Sequence, residues 1–344
     1  MLENIEREFE QILVSEKDSR DIRELSLSAD IFYAISSAVD VGLFQGLQEP
    51  KSPRELAGAL SLHPGIIEKL CGALASRGYL LKHGELYALS DLARIFLAES
   101  SPYYQGNLIK LMKRTRESRW SGLSKALKDG PIEVQAGFQV FDEGFSLAMA
   151  EGAVSGSLQR TVKMLRDYPA FQSARSCLDL GGCHGLYSLA FTRLNPELLA
   201  TIFDLPQVID GVTKKVVSGS DRITTLAGDF NTDKLGQGYD FVFASDVLYR
   251  PEEALLPLLT KIKDSLNPGG LLISKHYHID DLRDDSAAVL FDLMFSIYGT
   301  GGKVYSTTDF SRLLQSCGFS VVQVEDISSS VSRSRIIMAK KVQE

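Results

Sequence analysis

Residues 176–185, Ser-Cys-Leu-Asp-Leu-Gly-Gly-Cys-His-Gly, constrain the fold of this chain more than any other stretch. Cys177, Leu178 and Leu180 make a short apolar run of the kind that becomes a buried parallel strand. The run ends in a glycine-rich turn (Gly181, Gly182, Gly185), and residues 186–193 follow with helical character. Strand, tight turn and helix N-terminus together make a nucleotide site, because glycines let the backbone approach a ligand and the free N–H groups point at it. Asp179, two residues before Gly181, narrows the choice. A carboxylate there opposes an anionic pyrophosphate and suits a cationic ligand, such as one carrying a sulfonium and an ammonium.

From residue 176 onward strands and helices alternate, which is the signature of a doubly wound α/β domain. Strands are expected at 176–180, 199–203, 222–227, 239–244, 270–276, 320–326 and 334–339. Helices are expected at 186–193, 205–217, 252–266, 286–298 and 308–316, with Pro257 delaying or kinking its helix. The loop joining the last two strands is too short for a crossover helix, so that pair should be antiparallel.

Ligands of an open α/β sheet collect at the carboxyl ends of its strands. Asp204, followed by Leu205, ends the second strand, where a carboxylate is placed to take both hydroxyls of a ribose. Asp229 and Phe230 follow the third, and an acid beside an aromatic ring suits the exocyclic amine and the face of adenine. Ser245 ends the fourth, in the run Ala-Ser-Asp-Val-Leu-Tyr of residues 244–249. Any one of these carboxylates could be a helix N-cap, but acids at successive strand ends describe a site.

The N-terminal third reads differently. Residues 1–25 suggest a charged amphipathic helix through Ile5, Phe9, Ile12 and Leu13, and residues 29–44 a second, more apolar one. A partner subunit would give them something to pack against. Ser52, Pro53 and Glu55 form a capping-box start, and a further helix from His63-Pro64 ends at Arg77-Gly78. A hairpin over 79–89 completes a winged-helix arrangement. Its charges nearly balance, so packing or dimerisation is favoured over DNA binding. Residues 103–170 are helical in pattern and rich in aromatics such as Trp120, Phe141 and Phe145, suited to a core and an apolar pocket. The expected division is 1–102, 103–170 and 171–344.

With 344 residues and a net charge of −7, the chain lacks the basic footprint of a dedicated nucleic-acid binder. It has no run of about 18 apolar residues to span a membrane, its first residues (Met1-Leu-Glu-Asn-Ile-Glu-Arg-Glu) are too charged to be expected to act as a secretory signal, and its four cysteines form no CxxC pair. A cytoplasmic protein with no membrane or nucleic-acid partner is expected.

The motifs Leu178-Asp-Leu-Gly-Gly-Cys-His-Gly, Phe203-Asp-Leu-Pro-Gln-Val-Ile, Ala227-Gly-Asp-Phe and Asn267-Pro-Gly-Gly-Leu-Leu-Ile resemble those of the class I S-adenosylmethionine-dependent methyltransferases. More closely, the chain resembles the small-molecule O-methyltransferases with an N-terminal winged-helix dimerisation domain, over about residues 30–340. The resemblance implies a Rossmann-like domain with a mostly parallel seven-stranded sheet, S-adenosylmethionine as cofactor, a small aromatic or conjugated substrate, and a homodimer. It also assigns Gly181, Gly182 and Gly185 to the turn, Asp204 to the ribose, and Asp229 and Phe230 to the adenine.

The family's general base departs from this pattern. Where O-methylating members carry a His after the fourth strand, this chain has Tyr249. The supporting acids are replaced around Ser274-Lys275-His276 and in Gly301-Gly302-Lys303-Val304. A free tyrosine has a pKa near ~10 and is a poor base at neutral pH. The same replacement resembles the bacteriochlorophyll-pathway C-methyltransferase, which makes carbon methylation of a tetrapyrrole-like substrate an alternative. Loss of a base is tolerable here: positioning supplies about 7–11 kcal/mol and a general base roughly 3–5. If the strand persists, His276, His278 and Asp280 point to one side, an arrangement open to a metal site of two imidazoles and a carboxylate but more often made of loop residues. Either imidazole is a candidate to replace the base beside Tyr249, and no metal is expected. A non-catalytic cofactor-binding regulator is the rival reading from another class.

Overall fold

The computed structural model describes residues 2–14, 19–132, 141–329 and 333–342. The chain divides into two compact units, Met1–Ser101 and Pro102–Glu344. The described residues between 103 and 170 fall in the second unit, with the sheet that follows them.

In the first unit the leading helices differ from expectation. Residues 2–14 form two short helices, Leu2–Arg7 and Phe9–Val14, and a single long helix then runs Arg20–Asp40. The expected break near residue 26 is absent because Ser26, Leu27 and Ser28 include neither Gly nor Pro, and Ser28 Oγ instead donates to the Glu24 carbonyl one turn back. The break falls at Gly42, whose φ of 71° starts the short helix Leu43–Gly46. Ile22, Leu25 and Leu27 stay exposed, whereas Ile35, Ala38 and Val39 are buried. The capping box forms as expected: Glu55 N donates to Ser52 Oγ, and Ser52 N to the Glu55 carboxylate, opening helix Pro53–Leu60. Helix Pro64–Ser76 follows. Strands β1 (Leu80–His83) and β2 (Leu86–Leu89) then pair antiparallel, with Leu80 opposite Leu89.

In the second unit, seven strands form one sheet: β3 (Ser176–Leu180), β4 (Leu199–Asp204), β5 (Ile223–Ala227), β6 (Tyr239–Ser245), β7 (Leu266–Tyr277), β8 (Phe319–Asp326) and β9 (Ser334–Lys341). Their spatial order is β5-β4-β3-β6-β7-β9-β8. All neighbouring pairs are parallel except those made by β9, which is antiparallel to β7 and β8. The strands fall where the apolar runs place them, because a sheet covered on both faces needs continuous apolar segments. Residues 177–180 of β3 are all buried.

One face of the sheet packs Leu178, Val242, Ala244 and Leu272 against helices Glu252–Ser265 and Thr307–Ser316, through Leu259, Phe310 and Leu314. The other packs Cys177, Phe241, Phe243 and Ile273 against Tyr187 and Phe191 of helix Leu186–Leu194 and against Phe171. Helix Glu252–Ser265 runs without delay through Pro257, which lies on its exposed side where water can take the freed carbonyl. The helix expected over 205–217 is interrupted by a wide π turn at Ile209–Thr213. Strand order reverses between β3 and β6. A sheet of this kind opens its ligand crevice at that switch point, at the carboxyl ends of the strands.

Candidate active site at the carboxyl ends of the strands

The turn after β3 is built to be backbone alone. Gly181 has φ 66°, and a Cβ on it would lie 2.5 Å from Val247 Cγ1, inside contact distance. A Cβ on Gly182 would lie 2.7 Å from Asp179 Cγ, so any larger residue would push the turn off the strand. Gly181 N donates to the Phe203 carbonyl at 2.7 Å. Asp204 fixes the rest: its carboxylate accepts from Cys183 N at 2.8 Å and from Leu205 N at 2.7 Å. Two lone-pair directions of that carboxylate remain for other donors. Cys183, at φ 43°, is held in a conformation that few non-glycine residues adopt.

Asp179 lies beneath the turn, 2% exposed, and accepts from Ser188 Oγ at 2.7 Å. Burial pushes its pKa up to about 7; the Ser188 hydroxyl opposes that rise and the nearby Asp204 adds to it. A cation placed over the turn would reverse the shift, since opposite charge favours the ionised carboxylate. Asp229 accepts from Asn231 N and Nδ2 at 2.8 and 2.7 Å, closing a tight turn after β5. Phe230 lies beside Gly181, within 3.8 Å of where its Cβ would be, and the Arg250 guanidinium stacks 4.8 Å over its ring. The cofactor residues expected from sequence are thus brought to one end of the sheet.

The three residues expected on the substrate side are placed differently from one another. His276 is 3% exposed, and its Nε2 accepts from Val247 N at 3.1 Å and Leu248 N at 2.9 Å. With Nε2 accepting, Nδ1 carries the proton and donates to Ser274 Oγ at 2.8 Å. Both nitrogens are thus spent on holding the backbone after β6. Burial lowers its pKa to about 3, so it stays neutral. His278 is 2% exposed against Phe310, and its Nδ1 donates to the Tyr305 carbonyl at 3.1 Å. Its Nε2 is buried without a partner, and burial lowers its pKa to about 4. The strand expected to carry His276, His278 and Asp280 ends at Tyr277, but both rings still pack on one side, against Phe310. That side is the packed one under helix Thr307–Ser316, so the geometry supports neither as a base. Asp280 accepts from Thr307 N at 2.7 Å, at the start of that helix, and pairs with Arg335. Among the described residues no cluster of His, Cys, Asp and Glu is suited to a metal.

Tyr249 stands at the open end. Its hydroxyl donates to Asp246 Oδ1 at 2.7 Å and accepts from Tyr277 N at 2.7 Å. Burial and the adjacent Asp246 hold its pKa well above the ordinary value, so it is a neutral phenol. Its ring joins Tyr277, Phe291 and Phe295 in an aromatic wall, with centroids 4.7–5.9 Å apart.

Sequence reasoning missed the ion pair next to it. Lys275 Nζ donates to Asp246 Oδ2 at 2.6 Å, and Ser245 Oγ donates to the same oxygen at 3.1 Å. Burial is the largest single influence and would lower the lysine pKa and raise that of the aspartate, but the opposite charge and the hydrogen bonds to each group together outweigh it, so both stay ionised. A lysine in a strand otherwise built for burial was the available signal, because such a charge demands a counterion at a neighbouring strand end.

The family model of the O-methyltransferase domain matches residues 133–320, more than half of the chain. The chain belongs to the O-methyltransferase family. The model of the O-methyltransferase dimerisation domain matches residues 24–99. Among curated proteins, the chain is 29% identical to the tetracenomycin polyketide synthesis 8-O-methyl transferase of Streptomyces glaucescens, over 90% of this chain and 93% of that one. It is 28% identical to an uncharacterised protein of Methanocaldococcus jannaschii, over 89% of this chain and 85% of the other. Among solved structures, human N-acetylserotonin methyltransferase in complex with SAM superposes with a TM-score of 0.81 at 23% identity, covering 96% of this chain and all of that one. This last likeness speaks to the fold. Within an O-methyltransferase, the strand-end crevice is the place to seek methyl transfer, and the Asp246–Lys275–Tyr249 group lies on its rim.

Proposed function

We propose that this O-methyltransferase transfers the methyl group of S-adenosylmethionine to a hydroxyl of a small planar aromatic molecule. The observation that carries the reading is the turn after β3, stripped of side chains at Gly181 and Gly182 and pinned by the Asp204 carboxylate. It is a cradle that a Cβ would fill, and its residues fit the cofactor. Asp204 would take the ribose hydroxyls, Asp229 and Phe230 the adenine, and the buried Asp179 the positive charge. Leu205 and Ser245 would border the pocket. When bound, the cofactor supplies an electrophilic methyl carbon that needs no further activation.

The chain's own task is then to hold the acceptor in line and to exclude water. The wall of Tyr249, Tyr277, Phe291 and Phe295 is suited to a flat ring. The names of the similar Streptomyces enzyme and of the acetylserotonin enzymes favour an aromatic acceptor. The dimerisation-domain match and the exposed Ile22, Leu25 and Leu27 support a homodimer formed through the first unit. A cytoplasmic location fits four unpaired cysteines and the absence, among described residues, of a helix able to cross a membrane.

The reading is tested by incubating the protein with S-adenosylmethionine and, separately, catechol, naphthol and hydroxynaphthoate. Mass spectrometry should find a mono-methylated product from at least one of them. No product from any, with the cofactor unconsumed, would contradict the reading.

A further inference from the structure

The geometry points to Asp246 as the group that takes the acceptor's proton during methyl transfer, held in place by Lys275, Tyr249 and Ser245. This inference rests on the proposed methyl transfer to a hydroxyl. Asp246 is at the carboxyl end of β6, next to the strand whose turn forms the cradle. Its neighbour Val247 lies against Gly181, so the segment touches the turn directly. The residue has φ 58°, a left-handed conformation that aspartate tolerates but most side chains avoid. With Cys183, it is one of two such residues among the described residues of the second unit, and both stand at this end of the sheet. Strain of this kind persists where the surroundings impose it, often where a side chain must be aimed. Here Asp246 N donates to the Lys275 carbonyl at 2.8 Å and fixes the bend.

The side chain keeps 39% of its surface open, whereas its partner Lys275 keeps 5%. Oδ2 is occupied by the ammonium and by Ser245. Among the described residues Oδ1 accepts only from the Tyr249 hydroxyl, and it retains a lone-pair direction beside the aromatic wall. Among the described groups at the rim none is as well placed: His276 and His278 are packed against Phe310, and the Tyr249 proton already points at Asp246.

A carboxylate of low basicity suffices for this step. As the acceptor oxygen bonds to the methyl carbon it becomes an oxonium, which is a far stronger acid than any carboxylic acid. The O–H bond breaks, its electron pair stays on oxygen, and the proton passes to Oδ1 and from there to water. The titratable groups facing Asp246 are the charged Lys275 and the neutral His276 on β7, the neutral His278 just past that strand, and the neutral Tyr249 on its own loop. Lys275 acts by keeping Asp246 ionised, so it is a positioning residue.

A base of this kind has a distinct pH signature. With naphthol as acceptor, kcat of the wild type should stay level from pH 8 down to about 5, well below the ordinary histidine value near ~6.5. A break near that histidine value would overturn the inference. Asp246→Asn should lower kcat roughly 100-fold or more, within the range general bases supply, while S-adenosylhomocysteine affinity is kept. Lys275→Met should retain turnover but shift the acid limb to higher pH, as loss of its charge lets Asp246 protonate earlier.

A readout without turnover is binding to the S-adenosylhomocysteine complex. Naphthol should bind Asp246→Asn about tenfold more weakly, in keeping with a lost hydrogen bond to a charged group. Methoxynaphthalene, which has no proton to give, should bind both proteins alike. Equal loss for both ligands, or wild-type turnover in Asp246→Asn, would overturn the role of Asp246 alone. Absence of turnover in the wild type with every phenol would instead count against methyl transfer to a hydroxyl, and against this inference with it.

Discussion

Lys275 illustrates how much one residue can determine. An ammonium buried to 5% exposure is tolerable only because Asp246 stands 2.6 Å away. Removing one member of such a pair leaves the other uncompensated, which costs about 3–5 kcal/mol when both are fully buried. Asp246 is partly open, so water relieves some of that penalty. Lys275→Met should therefore destabilise the protein by about 2–4 kcal/mol in urea unfolding, toward the lower figure. Adding Asp246→Asn to it should cost less than the two single changes together. Strict additivity would show that the pair is uncoupled. The same pair accounts for Tyr249, which the resemblance sets where O-methylating relatives carry a histidine and which is not itself a base. Its hydroxyl is a donor to Asp246 and is held neutral, so the proton-accepting function moves to the carboxylate.

At the scale of elements, legibility followed the range of the forces involved. The inner strands of the sheet were readable because burial on both faces requires apolar runs, as at residues 241–244, while the edge strands β5 and β8 keep exposed residues and carry a weaker pattern. The capping box at Ser52 and Glu55 was readable because its partners lie three residues apart. The leading helices were misread for the converse reason: their boundary depends on a left-handed Gly42, while Ser26–Ser28 carries no strong stop. His276 and His278 lie on one side as their spacing suggests, although β7 ends at Tyr277 and does not carry the second. Which face of the sheet that is depends on Phe310 and Tyr305, some 30 residues further on, and no local pattern reveals it. The Asp246–Lys275 pair was hidden for the same reason. It joins residues 29 apart through the register that sets Ser245 opposite Lys275.

For the whole molecule, the buried imidazoles set the response to acid. His184, His276 and His278 have pKa values lowered to about 4, 3 and 4, chiefly by burial. An unfolded histidine titrates near ~6.5, so below that pH the unfolded chain binds these protons and the native one does not. The stability they contribute is full above ~6.5 and is lost as pH falls toward their native values. Asp179 works the other way. Raised to about 7, it favours the native state below the ordinary carboxylate range and loses that contribution as pH rises through 7. Near pH 5 the balance is three protons against one, a slope of roughly 3 kcal/mol per pH unit. Thermal unfolding followed by circular dichroism should show the melting temperature dropping steeply from pH 6.5 to 5. A level profile would mean that the imidazoles are not buried as described.

All of this rests on the glycine turn being a cradle for the methyl donor, and calorimetry with S-adenosylhomocysteine tests that directly. The wild type should bind one equivalent per chain. Asp204→Ala, which removes both the pin on Cys183 N and the acceptor for a ribose, should bind at least tenfold more weakly. No binding by the wild type, or equal binding by the two proteins, would contradict the account.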